Sequence, residues 1–89
     1  MLTIYKIPVT NNPKLPTNYT VLKILTVQLQ EGEPKIWALV DPSTPSEDNG
    51  SVFEIGTGWN LSNNVRDAEY ISTVQDEYGY VWHYFYVKE

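Results

Sequence analysis

The sequence predicts a mostly β protein: a single small domain of about six strands in a partly closed barrel or sandwich, with little helix. Residues of the β-branched and aromatic types are abundant, and turn residues recur at short intervals. No segment holds an amphipathic helical pattern longer than about two turns. Because 89 residues supply only one modest core, residues 1–89 are expected to form one β domain.

The first strand is predicted over Leu2–Val9, where Tyr5 and Ile7 share one face. Pro8 lacks a backbone N–H, so this strand should lie at a sheet edge or end there. The stretch Thr10–Thr20 holds two prolines and three asparagines without periodicity. It is therefore expected to be a long loop.

The clearest hairpin joins strands predicted over Val21–Gln30 and Lys35–Asp41. Between them Glu31-Gly32 predicts a tight turn, because glycine tolerates a positive φ. The first half of the first strand is apolar on both faces and the second half on one face only. Alternation predicts that Leu25, Val27 and Leu29 face the core.

The second half of the chain begins with a loop predicted over Pro42–Gly50. After it, the turn residues and apolar runs predict three more strands and one helical turn. In order these are strand Ser51–Ile55, a helical turn capped by Ser62 and continuing to Arg66, strand Glu69–Gln75, a turn at Asp76–Gly79 and strand Tyr80–Val87.

Composition excludes several classes of function. The chain has 6 basic and 11 acidic residues and a net charge of −5, so it lacks the basic footprint of a general nucleic-acid binder. It has no cysteine, which removes disulfides, thiolate zinc sites and a catalytic thiol. One histidine cannot make a two-histidine metal site within one subunit. No metal and no cofactor are expected.

The start of the chain shows no basic segment followed by a long apolar one, so no signal peptide is predicted. The longest apolar runs are far shorter than the roughly 20 residues that a membrane-spanning helix needs. A cytoplasmic location without membrane association is therefore expected.

Gly56-Thr57-Gly58 follows a predicted strand, which allows either a simple chain reversal or a phosphate-binding nest. The pattern lacks the further glycine or lysine of the established phosphate loops. Trp59 and the single arginine, Arg66, keep the ligand hypothesis open. Under that hypothesis Arg66 holds an anionic group and Trp59 stacks on a base, without a metal. The alternative is an exposed Arg66 paired with a neighbouring acidic residue.

His83 lies in the middle of the last strand and by alternation shares a face with Val81 and Phe85. It is interpreted as a structural residue with one hydrogen bond or as a contact to the ligand. Nucleophilic catalysis is not favoured, because no GxSxG pattern accompanies the histidine.

Four aromatic residues alternate along the last strand and so point the same way. They are Tyr80, Trp82, Tyr84 and Tyr86. Three interpretations stay open: part of the core, a subunit interface, since interfaces are rich in Tyr and Trp, or a stacking platform for a ligand. The interface interpretation predicts a homo-oligomer that uses at least two of these rings.

The chain resembles a family of small phage-encoded proteins of unknown function. The resemblance is carried by Thr3–Pro8, by Lys23–Gln28 with Trp37–Pro42, by Gly56-Thr57-Gly58, and by Tyr70–Gln75 with Val81–Phe85. One departure is Trp59, where the family pattern has a histidine after the glycine turn. The family brings no activity or site residues that transfer to this chain.

The resemblance implies a non-enzymatic phage accessory protein that acts by binding. By analogy with other small oligomeric phage proteins, one expectation is a sponge that sequesters a nucleotide-type host immune signal at a subunit interface. Its ligand-binding residues would be Gly56, Thr57, Gly58, Trp59, Arg66 and His83. The alternative is a protein–protein inhibitor, or a structural protein without a small ligand.

Overall fold

The computed structural model describes residues 1–88, apart from the side chain of Asn64. It contains two three-stranded antiparallel sheets, which confirms the mostly β fold. The elements, in chain order, are β1 (Thr3–Pro8), β2 (Tyr19–Gln30), β3 (Glu33–Pro45), β4 (Ser51–Gly56), a 3₁₀ helix (Asn63–Asp67), β5 (Glu69–Gln75) and β6 (Val81–Val87). Over the described residues neither sheet closes into a barrel, and no helix is long and apolar enough to cross a membrane.

The first sheet has the strand order β1-β3-β2 and contains the predicted hairpin. Gln30 pairs with Glu33, so the loop has two residues, and both of them have a positive φ, 54° at Glu31 and 79° at Gly32. This combination belongs to the type I′ turn, whose twist matches that of the flanking strands. The predicted tight turn is confirmed, and β1 lies at the sheet edge as Pro8 indicates.

Two irregularities in β2 change which residues face the core. The register shifts once between Val21 and Lys23 and again between Ile24 and Thr26. Each bulge adds one residue to β2, so Val21, Ile24 and Val27 pair with alternate residues of β3. The prediction for Leu25 was therefore wrong: it is 42% exposed, and Ile24 is buried in its place. Val27 is buried and Leu29 packs partly buried against the core, as predicted, and Val21 is buried as well.

The third strand is longer than the sequence predicts, because β3 continues through Pro42 to Pro45. This corrects the loop predicted from Pro42 onward. The pairing of β1 with β3 ends at Thr3 and Val40, so both prolines lie where β3 has only β2 as a neighbour. A proline is tolerated in such a position because its missing N–H breaks no ladder.

The second sheet has the strand order β4-β6-β5, with β5 and β6 joined by the predicted turn. Asp76 N–H donates to the carbonyl of Tyr80, and Gly79 has a φ of 86°. Because β4 and β5 both run antiparallel to β6, they are parallel to each other. The connection 57–68 therefore carries the chain from one edge of the sheet to the other, and it contains the short 3₁₀ helix.

The two sheets share one core and meet between β2 and β5. The buried cluster contains side chains from both sheets, among them Ile36 and Val27 from the first and Tyr84 from the second. At the junction Ser72 Oγ accepts from the N–H of Val27 at 3.0 Å and donates to its carbonyl at 2.8 Å. One serine hydroxyl thus satisfies both backbone groups of Val27, which a further strand would otherwise pair.

A second link between the sheets is formed by the buried Asn49. Its Nδ2 donates to Thr17 Oγ1 and to the carbonyls of Tyr19 and Ser46, and its Oδ1 accepts from the N–H of Val21. The hydroxyl of Tyr86 donates to the backbone carbonyl of Asn49 at 2.7 Å. This residue therefore fixes the segment before β4 to the beginning of β2 and to β6.

Candidate functional site

The turn after β4 is closed by its own hydrogen bonds. Thr57 N–H donates to the carbonyl of Val81 at 3.4 Å, and Trp59 N–H donates to the carbonyl of Gly56 at 3.2 Å. Gly58 has a φ of 87°, a conformation that favours glycine. Two of the N–H groups are used within the protein, which favours a chain reversal over an open phosphate nest.

The indole of Trp59 occupies the space that a side chain at position 56 would need. A Cβ on Gly56 would lie 2.6 Å from Nε1 of Trp59, well inside van der Waals contact. The Trp59 ring also stands edge-on to Trp82, with ring centroids 5.5 Å apart and an interplanar angle of 87°. Even so, Trp59 stays 57% exposed, so one part of the ring is anchored and another faces solvent.

A cavity of about 290 Å³ lies beside this indole. Its walls are Gly56, Thr57, Trp59, Gly79, Tyr80, Val81 and Trp82. The volume is near the lower limit of ordinary small-molecule pockets, roughly 300 Å³. Three aromatic rings with little charge between them suit a flat, apolar ring system better than an isolated anion.

Asp76 holds one wall of this aromatic pocket in place. Its Oδ2 accepts from Nε1 of Trp82 at 3.0 Å, and its Oδ1 accepts from the N–H groups of Tyr78 and Tyr80. The bond from Trp82, followed by the backbone bonds, lowers the pKa of Asp76. The carboxylate therefore stays ionised at neutral pH while it orients the indole.

A second cavity of about 300 Å³ lies on another side of Trp59, and Glu54 is part of its lining. Glu54 Oε2 accepts from the hydroxyl of the fully buried Tyr84 at 2.6 Å. Burial, together with this bond to Glu54, raises the pKa of Tyr84 well above its usual range. Tyr84 therefore serves as a neutral donor beneath the site.

His83 lies in a hydrogen-bonded row outside the aromatic pocket. Its Nε2 is 2.6 Å from Thr57 Oγ1 and its Nδ1 is 3.1 Å from Thr73 Oγ1, which in turn bonds the hydroxyl of Tyr70. A hydroxyl can donate or accept, so either neutral tautomer of the imidazole is satisfied. Both ring nitrogens are engaged within the protein, which favours the structural interpretation of His83 over a ligand contact.

Arg66 lies in the 3₁₀ helix and is exposed. It is not among the residues that line the pocket of Trp59, nor does it form an ion pair within 4.0 Å among residues 1–88. The structure therefore brings Gly56, Thr57 and Trp59 together, but it leaves Arg66 outside that pocket. The predicted capping residue, Ser62, makes no side-chain hydrogen bond at the start of this helix.

The four-residue aromatic stripe of the last strand divides between core and surface. Tyr84 and Tyr86 are buried in the core of one chain, at 0% and 7% exposure, which favours the core interpretation for these two residues. The subunit interface stays a prediction. Trp82 packs against the core, and Tyr80 is 65% exposed. Tyr80 and Trp82 instead line the aromatic pocket. The sequence feature that indicates this position is that both residues follow the Asp76 turn.

The arrangement defines a class: a small protein of two β-sheets with an aromatic pocket at one end of the second sheet. Among the described residues, no group of three or more His, Asp or Glu side chains is placed to hold a metal ion. The chain belongs to the family described as Domain of unknown function (DUF7352), whose model matches residues 1–89. No curated protein and no solved structure matches the chain.

Proposed function

We propose that this protein is a non-enzymatic binding protein that holds the base of a nucleotide-type small molecule against Trp59, Tyr80 and Trp82. The observation that carries the proposal is the indole of Trp59, anchored on Gly56 and Trp82 yet 57% exposed beside a cavity. A base stacked on such a ring gains about 1–3 kcal/mol. The ring is fixed before the ligand arrives, so little ordering cost opposes binding.

Charge limits how such a ligand sits. The chain has a net charge of −5, and the carboxylates of Asp76 and Glu54 lie close to the two indoles. A phosphate group is therefore oriented away from the pocket, and the base contributes most of the affinity. This differs from the expectation from sequence, in which Arg66 holds the phosphate.

The biological setting of the proposal comes from the resemblance to small phage proteins. In that setting the protein is an accessory protein in the host cytosol, and its ligand is a nucleotide-type immune signal that it sequesters. The proposed homo-oligomer belongs to the same setting, with Tyr80 and Trp82 as the remaining members of the stripe near the surface.

The test is calorimetric titration of the full chain with a panel of nucleosides, nucleotides and cyclic dinucleotides. Trp59→Ala should weaken binding of any ligand found by at least about fivefold, which corresponds to the lower limit of the stacking energy. Tyr78→Ala is the matched control, because Tyr78 is 79% exposed and outside the pocket lining. No binding across the panel, or equal losses in both variants, would contradict the proposal.

A second candidate function is protein–protein binding without a small ligand. The observation that favours it is a set of large apolar residues exposed on or beside the first sheet. They are Leu2, Ile4, Leu22 and Leu25, which are 42–57% exposed. Large apolar side chains exposed on one sheet are typical of an interaction site. A protein with no response to the ligand panel but a saturable protein complex would support this candidate.

A further inference from the structure

The first sheet has an outer face that the core does not use. On β3, Ile36, Ala38 and Val40 are buried, so the alternate residues point outward. These are Lys35, Trp37, Leu39 and Asp41, and all four are partly exposed. Beside them on β1 lies Ile4, which pairs with Leu39 and is 57% exposed. The bulged residues Leu22 and Leu25 add further exposed apolar surface along β2.

The outward side of β3 has opposite charges at its two ends. Two copies of this row are therefore complementary when they lie antiparallel to each other. Lys35 is basic, Trp37 and Leu39 are apolar, and Asp41 is acidic. If a second copy of this row lies on the first in the opposite direction, each basic end meets an acidic end. The two apolar residues then meet in the middle.

We propose that two copies of this chain pack these outer faces together around a two-fold axis. The axis lies between the two sheets and perpendicular to their strands, so that β3 of one copy runs antiparallel over β3 of the other. Lys35 then lies over Asp41 of the partner subunit, and Trp37 lies over Leu39 of the partner subunit. Because of the two-fold symmetry, each of these contacts occurs twice in the dimer.

Charge and burial both favour a second copy as the occupant. The strands of this face carry three of the chain's six basic residues, Lys6, Lys23 and Lys35, but only two of its eleven acidic ones, Glu33 and Asp41. With three basic and two acidic residues these strands carry a net charge of +1 in a protein of net charge −5, so long-range repulsion between two copies is weak when these faces meet. Stacked sheets about 10 Å apart would cover the partly exposed side chains of Trp37 and Leu39.

Asp41 is suited to the contact because it is ionised and held in one place. Hydrogen bonds from the side chains of Ser43 and Thr44 lower its pKa to about 2. The α-amino group of Met1 is 3.6 Å from Asp41 Oδ1. At the other end, Lys35 Nζ is 3.4 Å from Glu33 Oε2, a surface ion pair that contributes little to stability. The proposed dimer does not rest on the aromatic pocket or its ligand.

The experiment measures the mass of the full chain by sedimentation equilibrium over a range of concentrations. Wild type should dimerise. Lys35→Glu and Asp41→Lys should each raise the dimer dissociation constant by at least about tenfold, because each homodimer then contains two like-charge contacts. Lys14→Glu and Asp67→Lys change the net charge equally outside the face and should dimerise like wild type.

Mixing the two face variants gives the decisive result. In the heterodimer, the glutamate introduced by Lys35→Glu in one chain faces the lysine introduced by Asp41→Lys in the other. The unchanged Asp41 of the first chain faces the unchanged Lys35 of the second, so both contacts are attractive again. An equimolar mixture should therefore recover most of the wild-type affinity, although neither variant dimerises well alone. This recovery is the result expected when Lys35 of each copy faces Asp41 of the other, as in the antiparallel arrangement of β3 over β3.

Trp37→Thr tests the apolar centre of the interface with a residue that keeps a high strand propensity. The dissociation constant should rise by at least about thirtyfold, the effect of losing an interface hot spot of about 2 kcal/mol. Circular dichroism checks that each variant retains its β spectrum. A wild-type monomer at 100 µM, a dimer indifferent to Trp37→Thr, or a mixture that fails to recover would each overturn the proposal.

Discussion

At the scale of single residues, the side chains that matter most for stability are those with several hydrogen-bond partners. Asn49 illustrates this, because every polar atom of its amide is used while the residue is 6% exposed. Among the described residues, no buried side-chain nitrogen or oxygen lacks a partner. A chain this small has few such links, so each one carries a large share of the total stability.

Asn49→Ala should lower the free energy of unfolding by about 2–4 kcal/mol, because it leaves the buried N–H of Val21 and the carbonyl of Tyr19 unpaired. Urea denaturation followed by circular dichroism measures the change. Asn60→Ala is the matched control, since Asn60 is exposed, and it should change the stability by less than about 0.5 kcal/mol. Equal losses in the two variants would show that the hydrogen bonds of Asn49 contribute nothing specific.

At the scale of elements, the sequence predicts what depends on local chemistry and misses what depends on pairing. Five of the six strands begin and end within two residues of their predicted bounds, because turns at Gly32 and Gly79 interrupt clear apolar runs. The bulges in β2 were not predictable in the same way. Leu22, Ile24 and Leu25 are nearly equivalent in chemistry, and only the register against β3 decides which is buried.

The same difference between local chemistry and tertiary structure applies to the predictions for the candidate site. Trp59 was predicted because it directly follows the glycine turn, and the structure places it beside that turn. Arg66 was grouped with it as the only arginine, in the polar segment after the same turn, and the structure leaves it outside the pocket lining. Tyr84 and Tyr86 alternate with solvent-accessible neighbours in the same way as Trp82, so alternation gives their direction but not what covers them.

The β2–β3 turn contains a conformational cost that a substitution can remove. Glu31 has a φ of 54°, although a type I′ turn prefers asparagine at that position. Glu31→Asn should raise the free energy of unfolding by about 0.5–1 kcal/mol, since asparagine adopts the left-handed region more easily. Glu33→Asn, just outside the turn, is the control and should not stabilise the protein. A Glu31→Asn variant that melts at or below the wild-type temperature would show that the turn is not strained.

At the scale of the whole molecule, the two sheets share too much to unfold separately. Their common cluster joins Ile36 of the first sheet to Tyr84 of the second, and Ser72 and Asn49 bind the two sheets together through backbone groups. Neither three-stranded sheet has a second layer of its own to cover its apolar face. We therefore expect one cooperative transition for the whole chain.

The three tryptophans allow the unfolding of each sheet to be measured separately. Trp37 lies on the first sheet, and Trp59 and Trp82 lie on the second. A variant that keeps only Trp37 and a variant that keeps only Trp82, each made with phenylalanine at the other positions, report on one sheet each. In urea, the fluorescence midpoint of each variant should coincide with its own midpoint by circular dichroism. Because Trp37 lies in the dimer interface of the proposal above, the midpoint of the variant that keeps Trp37 should also rise with protein concentration. Midpoints that separate within one variant would mean that one sheet persists without the other, and the shared core would then not be the unit that folds.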